Sequence, residues 1–170
     1  WYHFIELGGD MSATFIPTFT IPRPMPASRS AAGDISALGS SRGAGERRHT
    51  ERGEAFVGEP FEVDGRSYKA TAVSMGNPHL VLFVEEDPDD VDVPRIGPLV
   101  EHDERFPERT NVEFVAVQGD GVKVRVWERG AGETLACGTG ACAAVVAANE
   151  AGLVPSKAPA RFPGGLLQIE

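Results

Sequence analysis

Alternating and clustered apolar positions begin at Phe56 and run nearly to the C-terminus; residues 1–55 carry neither pattern. FVGEPFEV (56–63) and SYKATAVS (67–74) flank Asp64-Gly65, which predicts two strands joined by a tight hairpin. LVLFV (80–84) is a short apolar run of buried-strand type, and NVEFVAV (111–117) and VKVRVW (122–127) flank Gly119-Asp120-Gly121 as a second hairpin. Val122, Val124 and Val126 alternate with Lys123 and Arg125, which predicts a sheet with one wet face. Between these strands the acidic, proline-punctuated stretch 85–111 leaves room for a short helix near Arg95 to His102, and LLQIE (166–170) closes the chain as a last strand.

One helix is expected from Thr139 to Ala151, closed by Gly152 with Pro155 beyond it. Its interior (Ala141, Cys142, Ala143, Ala144, Val145, Val146, Ala147, Ala148) has no polar face before Asn149, the pattern of a helix buried on all sides. Small side chains all round let neighbouring strands approach closely. The expected fold is α+β: a strongly curved, mostly antiparallel sheet wrapped around a buried central helix.

Upstream of Phe56 the character changes. Pro17, Pro22, Pro24 and Pro26 exclude a helix or a central strand from residues 12–26. Residues 27–54 contain only Ile35 and Leu38 as large aliphatics, too little apolar area to offset ordering entropy, so disorder is expected there.

Composition narrows the function. Formal net charge is −9, which argues against nucleic acid as a partner of the whole surface. No apolar run reaches membrane-spanning length, and residues 1–26 lack the order of a secretory signal. The two cysteines, Cys137 and Cys142, fall on one helix with Cα atoms roughly 7–9 Å apart, too far to bridge, so a reducing, cytoplasmic compartment is expected.

The chemistry concentrates around ERGAGETLACGTGAC (128–142). Cys137 stands at the mouth of the helix, where unpaired N–H groups and the macrodipole favour an anionic sulfur, and where Gly138 and Gly140 let a carboxylate or phosphate approach the backbone. The residues admit a second reading, a buried structural thiol beside a glycine turn. Cys142, inside the apolar run, reads as packing. Glu128 and Arg129 are either a solvated pair ending a strand or partners for the ammonium and carboxylate of an amino acid. Asn77, His79 and Asn111 begin apolar strands, as turn and cap chemistry or as a polar ring at the sheet's mouth. His79 is no metal site alone, and His3, His49 and His102 show no ligand spacing, so no metal is expected.

MGNPHLVLFVEE (75–86), GPLVEHDERFPERTNVEFV (97–115), WERGAGETLACGTGACAAVVAA (127–148) and FPGGLLQIE (162–170) together resemble the second half of diaminopimelate epimerase, over roughly residues 56–170. The resemblance implies a cofactor-independent isomerase that interconverts LL- and meso-diaminopimelate for lysine and peptidoglycan synthesis. It implies two similar domains, each a curved sheet around a central helix, with one cysteine per domain facing opposite sides of the substrate α-carbon. Cys137 is then the second-domain cysteine, the proton acceptor. Gly138 and Thr139 offer N–H groups to the reacting carboxylate; Asn77, Asn111 and Arg129 bind substrate, largely at its distal end; Glu128 contacts the ammonium. His79 and Glu128 also set the acidity of the thiols. The partner implied is the small molecule diaminopimelate, with no nucleic acid, no membrane and a homodimer as the assembly.

The family's first cysteine lies in a motif like CGNGxRC, and nothing in residues 1–55 matches it. The expectation is therefore a family C-terminal domain at 56–170 lacking its last strand or two. Residues 1–55 are expected to be foreign to the family, as in a truncated or frame-disrupted gene product, and the chain to be inactive alone. The alternative is a non-catalytic remnant that binds a carboxylate ligand or a partner subunit. A related racemase acting on another amino acid is a third reading, weakened by Asn77, Asn111 and Arg129, which suit a distal carboxylate.

Overall fold

The computed structural model describes residues 3–4, 17–18 and 56–170. Strands β1 (His3–Phe4) and β2 (Pro17–Thr18) form a two-stranded antiparallel ribbon, with Pro17 opposite Phe4. The expectation of disorder for residues 27–54 lies outside the described residues.

All other strands join one eight-stranded sheet. The chain runs β3 (Glu59–Val63), β4 (Arg66–Ser74), β5 (Pro78–Phe83), α1 (Val93–Glu101), β6 (Asn111–Gln118), β7 (Gly121–Glu128), β8 (Gly132–Thr134), α2 (Gly138–Glu150), β9 (Ala158–Phe162) and β10 (Gly165–Ile169). Strand order is β10-β9-β7-β6-β5-β4-β3, with β8 paired to β7 outside this path. Neighbours pair antiparallel except β5 with β6 and β7 with β9. Parallel neighbours need a long crossover. Here α1 supplies one and α2 the other, so the two exceptions to the antiparallel pattern are where the helices sit.

Local chemistry explains the elements. In the β3–β4 hairpin, Val63 pairs with Arg66, and both loop residues, Asp64 and Gly65, take positive φ (52° and 73°). That is the mirror-image turn whose twist matches paired strands. The β6–β7 hairpin also closes over two residues, Gln118 opposite Gly121, but there only Gly119 takes positive φ (63°). Helix α2 ends in a Schellman arrangement: Gly152 N–H donates to Asn149 O and Leu153 N–H to Ala148 O, with Gly152 at φ 71°.

The mixed, mostly antiparallel α+β sheet forms as expected, but its strong curvature around α2 is not confirmed. The sheet is an open path with β3 and β10 at its ends and is not strongly curled. Helix α2 packs on one face, over Val81, Val115, Val122, Val124 and Val126. Helix α1 packs on the other, over Phe61, Leu80, Leu82, Val112 and Phe114. Each face thus has its own core, and α2 touches β4, β5, β6, β7, β9 and β10. Cys142, Val146 and Asn149 make a partly buried seam along it, while Ala141, Ala143, Ala144, Val145, Ala147 and Ala148 are buried. Small side chains let those strands approach α2 closely. The wet face expected around Lys123 and Arg125 is confined to one corner, where Lys123 pairs with Asp87 and Asp89 and Arg125 with Glu133.

Candidate active site

Cys137 is the N-cap of α2: its backbone is extended (φ −138°, ψ 120°) and its carbonyl accepts the Ala141 N–H. Its sulfur takes the place of a capping oxygen, accepting the Gly140 N–H at 3.4 Å. Thr139 Oγ1 lies 3.5 Å from the same sulfur. The thiol is 8% exposed, while Gly138 and Thr139, next along the chain, are exposed. Their N–H groups belong to the first turn, where a helix supplies no internal acceptor. A sulfur, two outward N–H groups and the positive end of a thirteen-residue helix therefore share one small surface.

Glu128 ends β7 and Arg129 begins the tight turn joining β7 to β8. Glu128 Oε1 accepts from Thr134 Oγ1 at 2.6 Å, so the half-buried carboxylate is tied to the strand leading into Cys137. The turn is braced from below by Glu101, which is 3% exposed and accepts from Trp127 Nε1 at 2.7 Å and Gly130 N at 3.0 Å. Burial pushes the Glu101 carboxyl up, but those two donors and the charges of His102 and Arg109 outweigh it, leaving it below its ordinary value.

Asn111 ties two edges of the site together. Its Nδ2 donates to Pro78 O at 2.9 Å and its Oδ1 accepts the Arg129 N–H at 2.9 Å. The Arg129 guanidinium donates to Glu108 O at 3.0 Å and is otherwise exposed. Asn111 is 4% exposed, so much of its hydrogen-bonding capacity is spent on the scaffold.

His79 sits opposite Asn111 in the parallel register of β5 and β6. Its Nδ1 lies 2.6 Å from Glu113 Oε1, both side chains being fully buried, and its Nε2 lies 3.1 Å from Asn77 Oδ1. Burial, with the charge of Glu128, pushes the Glu113 carboxyl above its ordinary value even against His79. A Cβ added to Gly140 would stand 2.8 Å from Glu113 Oε1 and 3.4 Å from the Cys137 sulfur. Asn77, His79, Glu113, Gly140 and Cys137 are thus linked in one contiguous chain of contacts, with Glu128 beside it.

Asn77, His79, Cys137 and Thr139 fall in or against this chain of contacts, Asn111 and Arg129 are joined to each other, and Glu128 is held by Thr134. Glu113 was missed, as were Thr134 and Glu101. Cys142 is confirmed apart from the thiol site, but it lies partly buried on the α2 seam rather than in the core. Among the described residues no group of three or more His, Cys, Asp and Glu side chains is placed to hold a metal. No helix among them is long and apolar enough to cross a membrane.

The fold and site define an α+β domain with a buried thiol at a helix N-terminus. Residues 71–170 match the family model "Diaminopimelate epimerase", and the chain belongs to that family. It is 54% identical over 119 residues to diaminopimelate epimerase of Synechococcus sp. (strain JA-3-3Ab), covering 68% of this chain and 42% of that protein. The enzyme of Synechococcus elongatus is 55% identical over 122 residues (71% and 43%). That of Desulfitobacterium hafniense is 53% identical over 120 residues (70% and 42%). The chain thus spans about four-tenths of the length of the curated relatives it matches.

Proposed function

We propose that this chain carries the Cys137 half of a cofactor-independent epimerase that interconverts LL- and meso-diaminopimelate, a step in lysine and peptidoglycan synthesis. The observation that carries the reading is the position of Cys137: a thiol capping a helix whose next two residues are exposed, beside Glu128 and Arg129. The Gly138 and Thr139 N–H groups hold the reacting carboxylate, where an increase of negative charge on the substrate is best stabilised. Glu128 takes the ammonium; Asn77, Asn111 and Arg129 engage the distal end. His79 and Glu128 set the acidity of the thiols.

The chemistry is a proton transfer. As a thiolate, Cys137 takes the α-proton: the C–H bond breaks, an S–H bond forms, and the electron pair spreads onto the carboxylate. Inversion then requires a proton delivered from the opposite face. Cys142 is unsuited to that, because it lies one turn along the same helix on the partly buried seam. The relatives are more than twice as long as the matched region, and we assign the second acid to a domain resembling the part this chain does not match. Pyridoxal phosphate and other cofactors have no role in the reading, and the setting is cytoplasmic. Domain limits of 1–55 and 56–170 follow from it, as does a homodimer.

The second reading, a remnant that binds a carboxylate ligand or partner subunit without catalysis, is favoured by the partly buried apolar seam of α2 and by Leu135, which is 70% exposed beside the thiol turn. Calorimetric titration with diaminopimelate together with α-deuterium exchange in deuterated water, repeated with Cys137→Ala and with Arg129→Ala, separates the two. Binding weakened by Arg129→Ala and proton exchange abolished by Cys137→Ala support the epimerase half. Binding with no proton exchange in either protein supports the remnant.

A further inference from the structure

On the sheet face beneath α2, neighbouring strands present Val81, Val115, Val124 and Val126. Glu113 occupies the next place in that pattern. It is opposite Val81 on β5 and Val126 on β7, and it is fully buried. A carboxyl in such a row carries a desolvation cost that a valine would not. Its compensation is narrow. Oε1 meets His79 Nδ1 at 2.6 Å, and Oε2 is buried with no partner among the described residues. A fold that needed only packing here has no use for the carboxyl; what the carboxyl touches is the histidine.

The protons of this pair follow from its neighbours. The Asn77 amide is placed with Oδ1 3.1 Å from His79 Nε2, and we infer that this oxygen is the acceptor and that Nε2 carries a hydrogen. The short contact at Nδ1 then holds one further proton, either on the imidazole facing a carboxylate or on the carboxyl facing a bare nitrogen. Both arrangements leave Nε2–H pointing at Asn77. With its oxygen occupied, Asn77 is left to present its Nδ2 donors to a ligand, which suits a carboxylate and not an ammonium. On its other flank Glu113 Oε1 fills the space where a side chain on Gly140 would begin, and Gly140 is the residue whose N–H holds the Cys137 sulfur.

We propose that Glu113 is a positioning residue of the Cys137 site: it fixes the ring of His79 so that Nε2–H orients the Asn77 amide donors toward a substrate carboxylate, and it backs the glycine that seats the thiol. The role of those groups in epimerisation rests on the reading given above, but the arrangement of protons does not.

The test is nitrogen-15 NMR of the full chain labelled at histidine and asparagine, with His79→Gln and Asn77→Ala for assignment. In the unaltered protein a single His79 form is expected, protonated at Nε2, with a far-downfield proton at Nδ1 and one fixed Asn77 side-chain amide. Glu113→Leu, which keeps the bulk and removes the partner, is expected to give mixed His79 tautomers and an averaged Asn77 amide. Glu113→Gln, which fits the same space, is expected to keep Nε2–H while losing the far-downfield proton. Should Glu113→Leu fail to fold, the unaltered protein and Glu113→Gln decide. A bare Nε2 in the unaltered protein, a far-downfield proton that survives Glu113→Gln, or an unchanged His79 in folded Glu113→Leu overturns the proposal. A failure to bind diaminopimelate would instead remove the epimerase reading and leave these spectra as they are.

Discussion

The Gly140 N–H donates to the Cys137 sulfur at 3.4 Å, and the space where a Gly140 side chain would begin is filled by Glu113 Oε1, 2.8 Å away. The glycine is therefore present because a buried carboxyl and a thiol close on it from two sides, not because the backbone needs its freedom.

That contact separates two substitutions in the same turn. Alanine at Gly140 gains about 1 kcal/mol of helix propensity, but overpacking against a buried carboxyl costs about 1–3 kcal/mol. Gly140→Ala should lower the urea midpoint. Gly138 has nothing within 4 Å of its added Cβ, so Gly138→Ala should change stability by no more than about 0.5 kcal/mol. Equal effects of the two would contradict this account of the turn.

Asn111→Asp tests the tie between the β5 edge and the Arg129 turn. Aspartate still accepts the Arg129 N–H but sets a carboxylate oxygen against the Pro78 carbonyl, replacing a 2.9 Å hydrogen bond. A loss of about 1–3 kcal/mol is expected at neutral pH, the cost of an unpaired buried polar group. Urea titration should find that loss reduced in acid, where the new carboxyl is protonated and donates.

Two buried glutamates give opposite pH signatures. Glu101 has a folded pKa below its ordinary value, set by burial that is outweighed by Trp127, Gly130, His102 and Arg109. Its contribution is present above about 4.3, the unfolded value, and is lost as pH falls through the lowered one. Glu113 has a raised folded pKa, from burial and the Glu128 charge against the opposing His79. Its contribution is present below the ordinary range and is lost as pH rises through the raised value. In thermal or urea unfolding across acid to neutral pH, the deficit of Glu101→Gln should grow with pH and that of Glu113→Gln should shrink. Parallel curves would refute the assignment.

Much of this was legible beforehand, for reasons particular to each element. Asp64-Gly65 announced its hairpin because both residues tolerate the positive φ it demands. Helix α2 declared its end through Gly152. Helix α1 begins at Val93, ahead of the expected Arg95, because Pro94 fits the first turn, where its missing N–H costs nothing. Strand β9 was not foreseen: APARF carries a proline and no β-branched residue, and it is held by β7 and β10 on either side rather than by its own preference. Curvature was not legible, because small side chains around α2 suit encirclement and one-faced packing equally. Glu113 escaped notice because β6 is buried on both faces, so alternation in NVEFVAV does not mark a polar residue as facing water.

The central claim, that Cys137 is one of two opposed proton-transfer groups, is tested most directly by incubating the purified chain with LL-diaminopimelate in deuterated water and following α-deuterium and meso product together. Slow α-deuterium uptake that disappears in Cys137→Ala, with no meso product, is the predicted result. Meso product accumulating at an enzymatic rate, or uptake unchanged in Cys137→Ala, would contradict it.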